Sequence, residues 1–234
     1  MRQIFNEDFI EITKMIKDTK PFAFSRFADG EIAVMRGRQI VGSDKWTAPN
    51  YVTKLGTDLL KAIEVVDDNV YFGISCQCCD KPGRDYLLSL IKNDMKNVTF
   101  SNMFVNGNYS DFIEFAKTID EPVNLIANEE AILNNCPFKV TTFLPVPDDC
   151  VNYWENVRDG FLDLLKESYS NIHGELFFIS AGPMSEAIIS YLWEINPTNR
   201  YVDVGSSIAE FIHGRPIREF AYTQSQYHNK KCIF

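Results

Sequence analysis

Short apolar runs alternate with longer amphipathic stretches along nearly the whole chain, and this alternation constrains the fold more than any other feature. Each run has the length of a strand and is rich in β-branched or aromatic residues. The predicted strands are Phe22–Phe27, Val70–Ser75, Val98–Ser101, Val123–Ala127, Val140–Leu144, Leu176–Ser180 and Tyr201–Val204.

The stretches between these runs carry apolar residues at helical spacing, as Leu55, Leu59 and Ile63 do. Helices are predicted over residues 4–16, 52–66, 84–93, 109–119, 151–169 and 184–195. Strands that alternate with helices form crossover units, which predicts an α/β fold with a mainly parallel sheet and helices on both faces. Without an internal repeat or a flexible linker to divide it, the chain is predicted to be a single domain over residues 1–234.

The net charge of −9 argues against nucleic acid as a partner, because binding to a phosphate backbone depends on clustered Lys and Arg. No run approaches the roughly 18 apolar residues of a membrane span, so we expect none. Acidic residues come before any apolar run of signal-peptide length, and we therefore expect a cytoplasmic protein. A homodimer is compatible with the sequence, since exposed apolar helix faces would permit one.

Three of the six cysteines are packed together as Cys76, Cys78 and Cys79. This spacing differs from the framework of a small secreted protein, and we expect reduced thiols. Redox activity is an alternative, although a Cys-x-x-Cys pair occurs here only with a third cysteine inside it. Cys136, Cys150 and Cys232 stand alone in the sequence, without a neighbouring His or Cys. A zinc site would need further ligands at suitable spacing, and it is therefore not expected.

The densest chemical signal is Ser-Arg-Phe-Ala-Asp-Gly-Glu at the end of the first predicted strand. Asp29 and Glu31 lie two residues apart around Gly30, where their oxygens can converge on Mn²⁺ or Mg²⁺. Arg26 can bind a phosphate through two hydrogen bonds. The alternative is structural: Asp29 caps the following helix and Arg26 pairs with Glu31.

Two further strand ends run into small residues. In Ser-Ala-Gly-Pro-Met-Ser, Gly182 precedes a proline at a predicted helix start, where free amides can face a phosphate or a ribose. This turn is neither a Walker loop nor a dinucleotide fingerprint. In Val-Asp-Val-Gly-Ser, Asp203 lies in an apolar run, which suggests a general base, a sugar ligand or a residue that satisfies loop amides.

Other polar residues follow predicted strands or lie near the C-terminus. Asn106 belongs to an Asn-Gly-Asn-Tyr segment that suits sugar recognition or, alternatively, a plain turn. Arg215 and Arg218 are candidates for binding a diphosphate, or for surface ion pairs. His213 is the second candidate for a base, and three histidines without a Gly-x-Ser-x-Gly elbow give a hydrolase triad little support.

Taken together, Ser-Arg-Phe-Ala-Asp-Gly-Glu, Asn-Gly-Asn-Tyr, Ser-Ala-Gly-Pro-Met and Val-Asp-Val-Gly-Ser resemble the GT-D glycosyltransferases in order and spacing over most of the chain. Ala28 stands where that family usually has glycine. The resemblance implies a Rossmann-like parallel sheet and a nucleotide-sugar donor, commonly UDP-linked. It also implies an Asp-x-Glu metal motif, which falls on Asp29 and Glu31.

On this basis we expect a metal-dependent glycosyltransferase that moves a sugar from a nucleotide-diphosphate donor to a hydroxyl of a growing glycan. Arg26, Gly182, Asn106, Arg215 and Arg218 are the expected donor contacts, with Asp203 and then His213 as the base. The alternatives are a non-catalytic nucleotide- or glycan-binding module and a nucleotide-sugar hydrolase. A dinucleotide-dependent oxidoreductase is disfavoured, because no matching fingerprint is present.

Overall fold

The computed structural model describes residues 1–41 and 46–234 of the chain. The helices are α1 (Phe5–Lys17), α2 (Asp29–Met35), α3 (Lys54–Ile63), α4 (Gln77–Leu90), α5 (Tyr109–Ala116), α6 (Cys150–Tyr169), α7 (Ser185–Ile195) and α8 (Ala209–His213). The strands are β1 (Phe22–Phe27), β2 (Ile40–Val41), β3 (Thr47–Ala48), β4 (Val70–Ile74), β5 (Val98–Phe100), β6 (Val123–Asn128), β7 (Val140–Val146), β8 (Leu176–Ser180) and β9 (Arg200–Asp203).

All seven predicted strands form one parallel sheet, in the order β5-β4-β1-β9-β8-β6-β7. The predicted α/β fold is therefore confirmed. Strand positions agree with the apolar runs to within one or two residues at each end, because a strand buried on both faces is recognisable as a continuous apolar segment. β2 and β3 form a separate antiparallel pair that the sequence did not predict.

Helices cover both faces of this sheet and enclose two apolar cores. Along β1, Ala23 and Phe27 contact the core under α3, α6 and α7, while Phe22 and Phe24 contact the core under α1 and α5. This assignment follows from the alternation of side chains along a strand. The two cores therefore cover the sheet on both faces, and the loops at its carboxyl edge extend from this buried scaffold.

Three predicted helices have different boundaries in the structure, and one of them, predicted over 109–119, ends at Ala116 as α5. The helix predicted over residues 52–66 corresponds to α3, which ends at Ile63, and Val66 is 68% exposed. α4 begins at Gln77, well before the predicted residue 84, and is kinked at Asp80, two residues before Pro82. The kink interrupts the apolar periodicity, which is why the pattern revealed only the second half of this helix.

Within the described part of the chain, none of the helices is both long enough and apolar enough to cross a membrane.

Candidate functional site

A cavity of about 420 Å³ lies at the carboxyl ends of β6, β7, β8 and β9. From β6 the chain continues to β7 at the edge of the sheet, whereas from β8 it continues to β9 in the opposite direction. The loops therefore diverge between β6 and β8, and in open parallel sheets such a divergence forms the crevice that binds ligands. The volume is within the range of small-molecule sites.

The turn after β8, which contains Gly182, forms one wall of this cavity. Gly182 has φ +55°, and a Cβ at this position would lie 3.3 Å from the Cys150 sulfur. The Ser185 hydroxyl accepts the Ala181 N–H at 3.0 Å, while the Ser180 hydroxyl donates to the Gly205 carbonyl at 2.9 Å. These bonds join the ends of β8 and β9 and fix the turn that leads into α7.

Three cationic or titratable side chains from the C-terminal part of the chain reach the same cavity. His213, Arg215 and Arg218 all line it, close to one another in sequence at the end of α8 and in the loop beyond. Asp148 also lines it and accepts a hydrogen bond from the Asn128 amide. Arg215 and Arg218 bring positive charge to the cavity of a chain with net charge −9, beside the carboxylates of Glu130 and Asp148, and a guanidinium can bind an anionic ligand.

The segment that carries Asp29 and Glu31 adjoins this cavity at Trp46. Trp46 lines the cavity, and a Cβ on Gly30 would lie 3.2 Å from its indole ring. Asp29 is exposed at the first position of α2, and Glu31 accepts the Ala28 N–H at 2.7 Å. The helix-capping role that we considered for Asp29 therefore belongs to Glu31.

The charge around Glu31 is predominantly negative. Burial, backed by the nearby carboxylates of Asp203 and Asp29, raises the pKa of Glu31 to about 7 against the lowering effect of backbone N–H groups. A bound cation would favour the ionised form of this side chain.

Arg26 binds Asp203 through two hydrogen bonds, which replaces the pairing with Glu31 that the sequence suggested. Arg26 Nε donates to Asp203 Oδ2 at 3.0 Å and Nη2 donates to Oδ1 at 3.2 Å, while Nη1 donates to the Ser101 carbonyl at 3.1 Å. A Cβ on Gly205 would lie 1.9 Å from the guanidinium. Arg26 thus packs behind a cavity-lining glycine, and neither Arg26 nor Asp203 forms part of the cavity wall.

This arrangement argues against Asp203 as the base, because both of its oxygens accept hydrogen bonds from a guanidinium. A base needs a lone pair directed at the substrate. His213, the second candidate from the sequence, does line the cavity.

Glu186, in the first turn of α7, is a carboxyl group that the sequence analysis missed. It is 1% exposed, and burial followed by the charges of Glu31 and Asp203 raises its pKa well above the usual value. Among the described residues, its Oε2 has no hydrogen-bond partner. The sequence signal was a Glu in the first turn of an otherwise apolar helix, a position usually explained by the helix dipole.

Asn106, an expected donor contact, lies away from the cavity. Its side chain is buried and its amide donates to the Cys232 sulfur at 3.6 Å. Asn106 also has φ +54°, which supports the alternative that the Asn-Gly segment serves as a turn. Trp46, Ser180, Asn128 and Asp148, which the sequence analysis did not single out as site residues, do line the cavity.

No family model matches the chain, and no curated protein matches its sequence. Solved structures do match its fold. A domain of unknown function 1792, described as having a distinct glycosyltransferase fold, aligns with a TM-score of 0.61 and 16% identity over 94% of this chain and 86% of its own. A protein described as a new glycosyltransferase from Streptococcus sanguinis aligns with a TM-score of 0.57 and 12% identity, covering 98% and 92% of the two chains.

The chain has a glycosyltransferase fold. The resemblance that the motifs indicated is thus confirmed for the architecture. In this glycosyltransferase fold, the cavity and the Asp29–Glu31 segment occupy the same carboxyl edge of the sheet.

Proposed function

We propose that this protein is a glycosyltransferase that moves a sugar from a nucleotide-diphosphate donor, in the first instance a UDP-sugar, to a hydroxyl group of a glycan. The observation that carries the proposal is the cavity at the β6–β8 divergence, with Arg215 and Arg218 on its wall. Its volume suits a small organic ligand, and its arginines suit a diphosphate. The glycosyltransferase fold supports the same reaction class.

In this proposal Asp29 and Glu31 hold a Mn²⁺ or Mg²⁺ ion. The residues fit such an ion: Mg²⁺ is commonly bound through one or two carboxylates, together with water and substrate phosphates. They also fit by charge, because the charges of Asp29 and Asp203 raise the pKa of Glu31, and those of Glu31 and Asp203 raise the pKa of Glu186, so a cation would relieve this repulsion. When bound, the ion offsets the negative charge that develops on the departing nucleotide diphosphate.

The chain's own groups position the reactants. Arg215 and Arg218 bind the diphosphate, and the turn at Gly182 presents backbone to the donor at the start of α7. Asn128 and Asp148, which are joined by a hydrogen bond, lie in the cavity where hydroxyls of the sugar or ribose can be recognised. Trp46 lies where the cavity adjoins the Asp29–Glu31 segment, and its ring offers the donor an apolar surface there.

His213 accepts the proton of the acceptor hydroxyl in this scheme. The bond between the anomeric carbon and the phosphate oxygen breaks, and its electron pair leaves with the nucleotide diphosphate. A new bond forms between the anomeric carbon and the acceptor oxygen as the proton moves to a ring nitrogen of His213.

The test is calorimetric titration of nucleoside diphosphates and nucleotide-sugars, with and without Mn²⁺. We compare wild type with the double variant Asp29→Asn and Glu31→Gln. We expect one nucleotide class to bind in a metal-dependent way, and the double variant to bind at least about 10-fold more weakly. The matched control, Asp163→Asn with Glu167→Gln, changes two exposed carboxylates on α6 and should bind as wild type does.

Turnover then separates the reaction classes. Sugar transfer to a glycan acceptor supports the proposal, and sugar release with water as the only acceptor would identify a hydrolase instead. Metal-dependent binding without either reaction would identify a binding module. A folded wild type that binds no nucleotide would refute the donor site.

A further inference from the structure

Four cysteine sulfurs meet at the start of α4, on the sheet edge beyond the candidate active site. Cys76, Cys78 and Cys79 come from the loop after β4 and the first turn of α4, and Cys232 comes from the C-terminal tail. Their four Sγ atoms all lie within 4.8 Å of one another. Among the described residues, no other group of three or more His, Cys, Asp or Glu side chains converges so closely.

We propose that these four cysteines bind one Zn²⁺ ion. Tetrahedral Zn²⁺ with Zn–S bonds of about 2.3 Å places its sulfurs about 3.8 Å apart. The Sγ atoms of Cys76 and Cys78 are 3.4 Å apart, and those of Cys78 and Cys79 are 4.0 Å apart, so the spacings bracket that value. A disulfide needs about 2.05 Å, and all four cysteines are free. Four soft thiolate ligands select zinc over Mn²⁺ or Mg²⁺.

Hydrogen-bond donors surround the sulfurs, as expected for zinc-bound thiolates. The Asn102 amide lies 3.5 Å from the Cys79 sulfur and 3.7 Å from the Cys232 sulfur. The Ile233 N–H donates to the Cys78 sulfur at 3.4 Å, and the Lys230 ammonium hydrogen-bonds the Cys79 sulfur. These donors offset the excess negative charge of four thiolates on a divalent ion. The amide of Asn106, which lies outside the cavity, also donates to the Cys232 sulfur.

The ion would fix the C-terminal tail, which contains little regular structure. Residues 214–234 contain one short 3₁₀ turn, Glu219–Ala221. Near its end the tail is held by backbone hydrogen bonds, in which Gly107 N–H donates to the Lys230 carbonyl and Gln77 N–H to the Ile233 carbonyl. Because the same tail carries Arg215 and Arg218 into the cavity, a zinc link at Cys232 holds one wall of the cavity in place.

The first measurement is the metal content of wild-type protein purified under reducing, anaerobic conditions. We expect one zinc per chain, and we expect Co²⁺ exchanged into the site to give the absorption of tetrahedral thiolate coordination. Stoichiometric iron, a disulfide among the four cysteines, or failure of the reduced protein to take up Zn²⁺ in a competition titration with a chromophoric chelator would each overturn the proposal.

Variants locate the site. Cys232→Ser should lower zinc affinity by about 100-fold or more, because one of four ligands is lost. The control Cys136→Ser, which removes a cysteine outside the cluster, should bind zinc as wild type does. If Cys232→Ser fails to fold, Cys78→Ser provides the same comparison at an exposed ligand. Equal zinc affinity in Cys78→Ser and wild type would refute the assignment.

Limited proteolysis tests the structural consequence. Removing zinc from wild type with a chelator should make the chain beyond Gly214 susceptible to cleavage while the sheet stays protected, and adding Zn²⁺ should reverse this. An unchanged cleavage pattern would show that the tail does not depend on a metal.

Discussion

The guanidinium of Arg26 and the carboxylate of Asp203 form a two-point ion pair between the carboxyl ends of the adjacent strands β1 and β9. The two side chains are 10% and 5% exposed. The pair therefore links the Asp29–Glu31 segment, which follows β1, to Gly205, which follows β9 and lines the cavity.

Breaking this pair should be costly, because the remaining charge would be buried without its partner. We expect Arg26→Leu or Asp203→Asn to lower the free energy of unfolding by about 3–5 kcal/mol. The double change to leucine should cost less than the sum of the single changes. Urea unfolding at 25 °C measures this, with Lys92→Ala as control, since the half-exposed Lys92–Glu64 pair contributes about 1 kcal/mol or less.

The same experiment decides between two roles for Asp203. An Asp203→Asn variant that keeps wild-type stability and donor binding but loses turnover would restore Asp203 as the base. A destabilised variant whose residual folded fraction retains activity would assign it to the support of the β1 and β9 ends.

Arg215 should contribute to the binding of an anionic ligand in the cavity. We expect Arg215→Gln to weaken nucleoside diphosphate binding by about 10-fold or more, because charge-assisted hydrogen bonds to phosphate are lost. The control is Arg38→Gln, an exposed arginine outside the cavity lining. Calorimetry at two salt concentrations checks the result, and equal affinities in the two variants would remove Arg215 from the site.

Gly182 and Gly160 should respond oppositely to alanine. Gly182 has φ +55° and would place its Cβ against Cys150, so Gly182→Ala should cost about 1–2 kcal/mol and weaken donor binding. Gly160 lies in α6 with open space around it, so Gly160→Ala should stabilise the protein by about 0.5–1 kcal/mol. Thermal and urea unfolding measure both changes, and a neutral Gly182→Ala would contradict the strained turn.

Asp58 should make the stability depend on acidic pH. Burial raises its pKa, but hydrogen bonds from Arg158 and Trp154 outweigh that effect and leave the pKa of the carboxyl below its usual value. A lowered folded pKa stabilises the protein above the unfolded pKa of about 3.9, and this is lost as the pH falls through the folded pKa.

We therefore expect Asp58→Asn to be less stable than wild type at neutral pH, with the difference shrinking below about pH 4. Urea unfolding over a pH series checks this. Asn156→Ala, an exposed change on α6 that removes no ionisable group, should show a cost that does not vary with pH. A constant difference for Asp58→Asn would exclude the ion pair as its cause.

The strands and the fold class could be predicted from the sequence because they depend on local patterns. Runs such as Phe22–Phe27 and Leu176–Ser180 are mostly apolar, as a strand covered on both faces requires, and the structure has them with the same bounds. Gly182 was also recognisable, since a Pro after a Gly at a strand end is a local signal of a turn into a helix.

The partners of individual side chains could not be predicted, because they come from distant parts of the chain. The sequence suggested an ion pair between Arg26 and Glu31, five residues away. The partner of Arg26 is instead Asp203, which the order of strands brings next to β1. The expectation that Cys232 stands alone was wrong for the same reason, since the folded tail places it beside Cys76, Cys78 and Cys79.

The sequence by itself therefore determined the parallel α/β sheet, and the strand ends where polar residues gather, since both follow from hydrophobic periodicity and turn chemistry. The tertiary structure alone decided which of those ends adjoin and which charges neutralise one another. It also decided which sulfurs meet and which side chains line the cavity. Those relationships depend on the order of strands and on the path of the tail, and residues distant in sequence carry no local signal of their proximity.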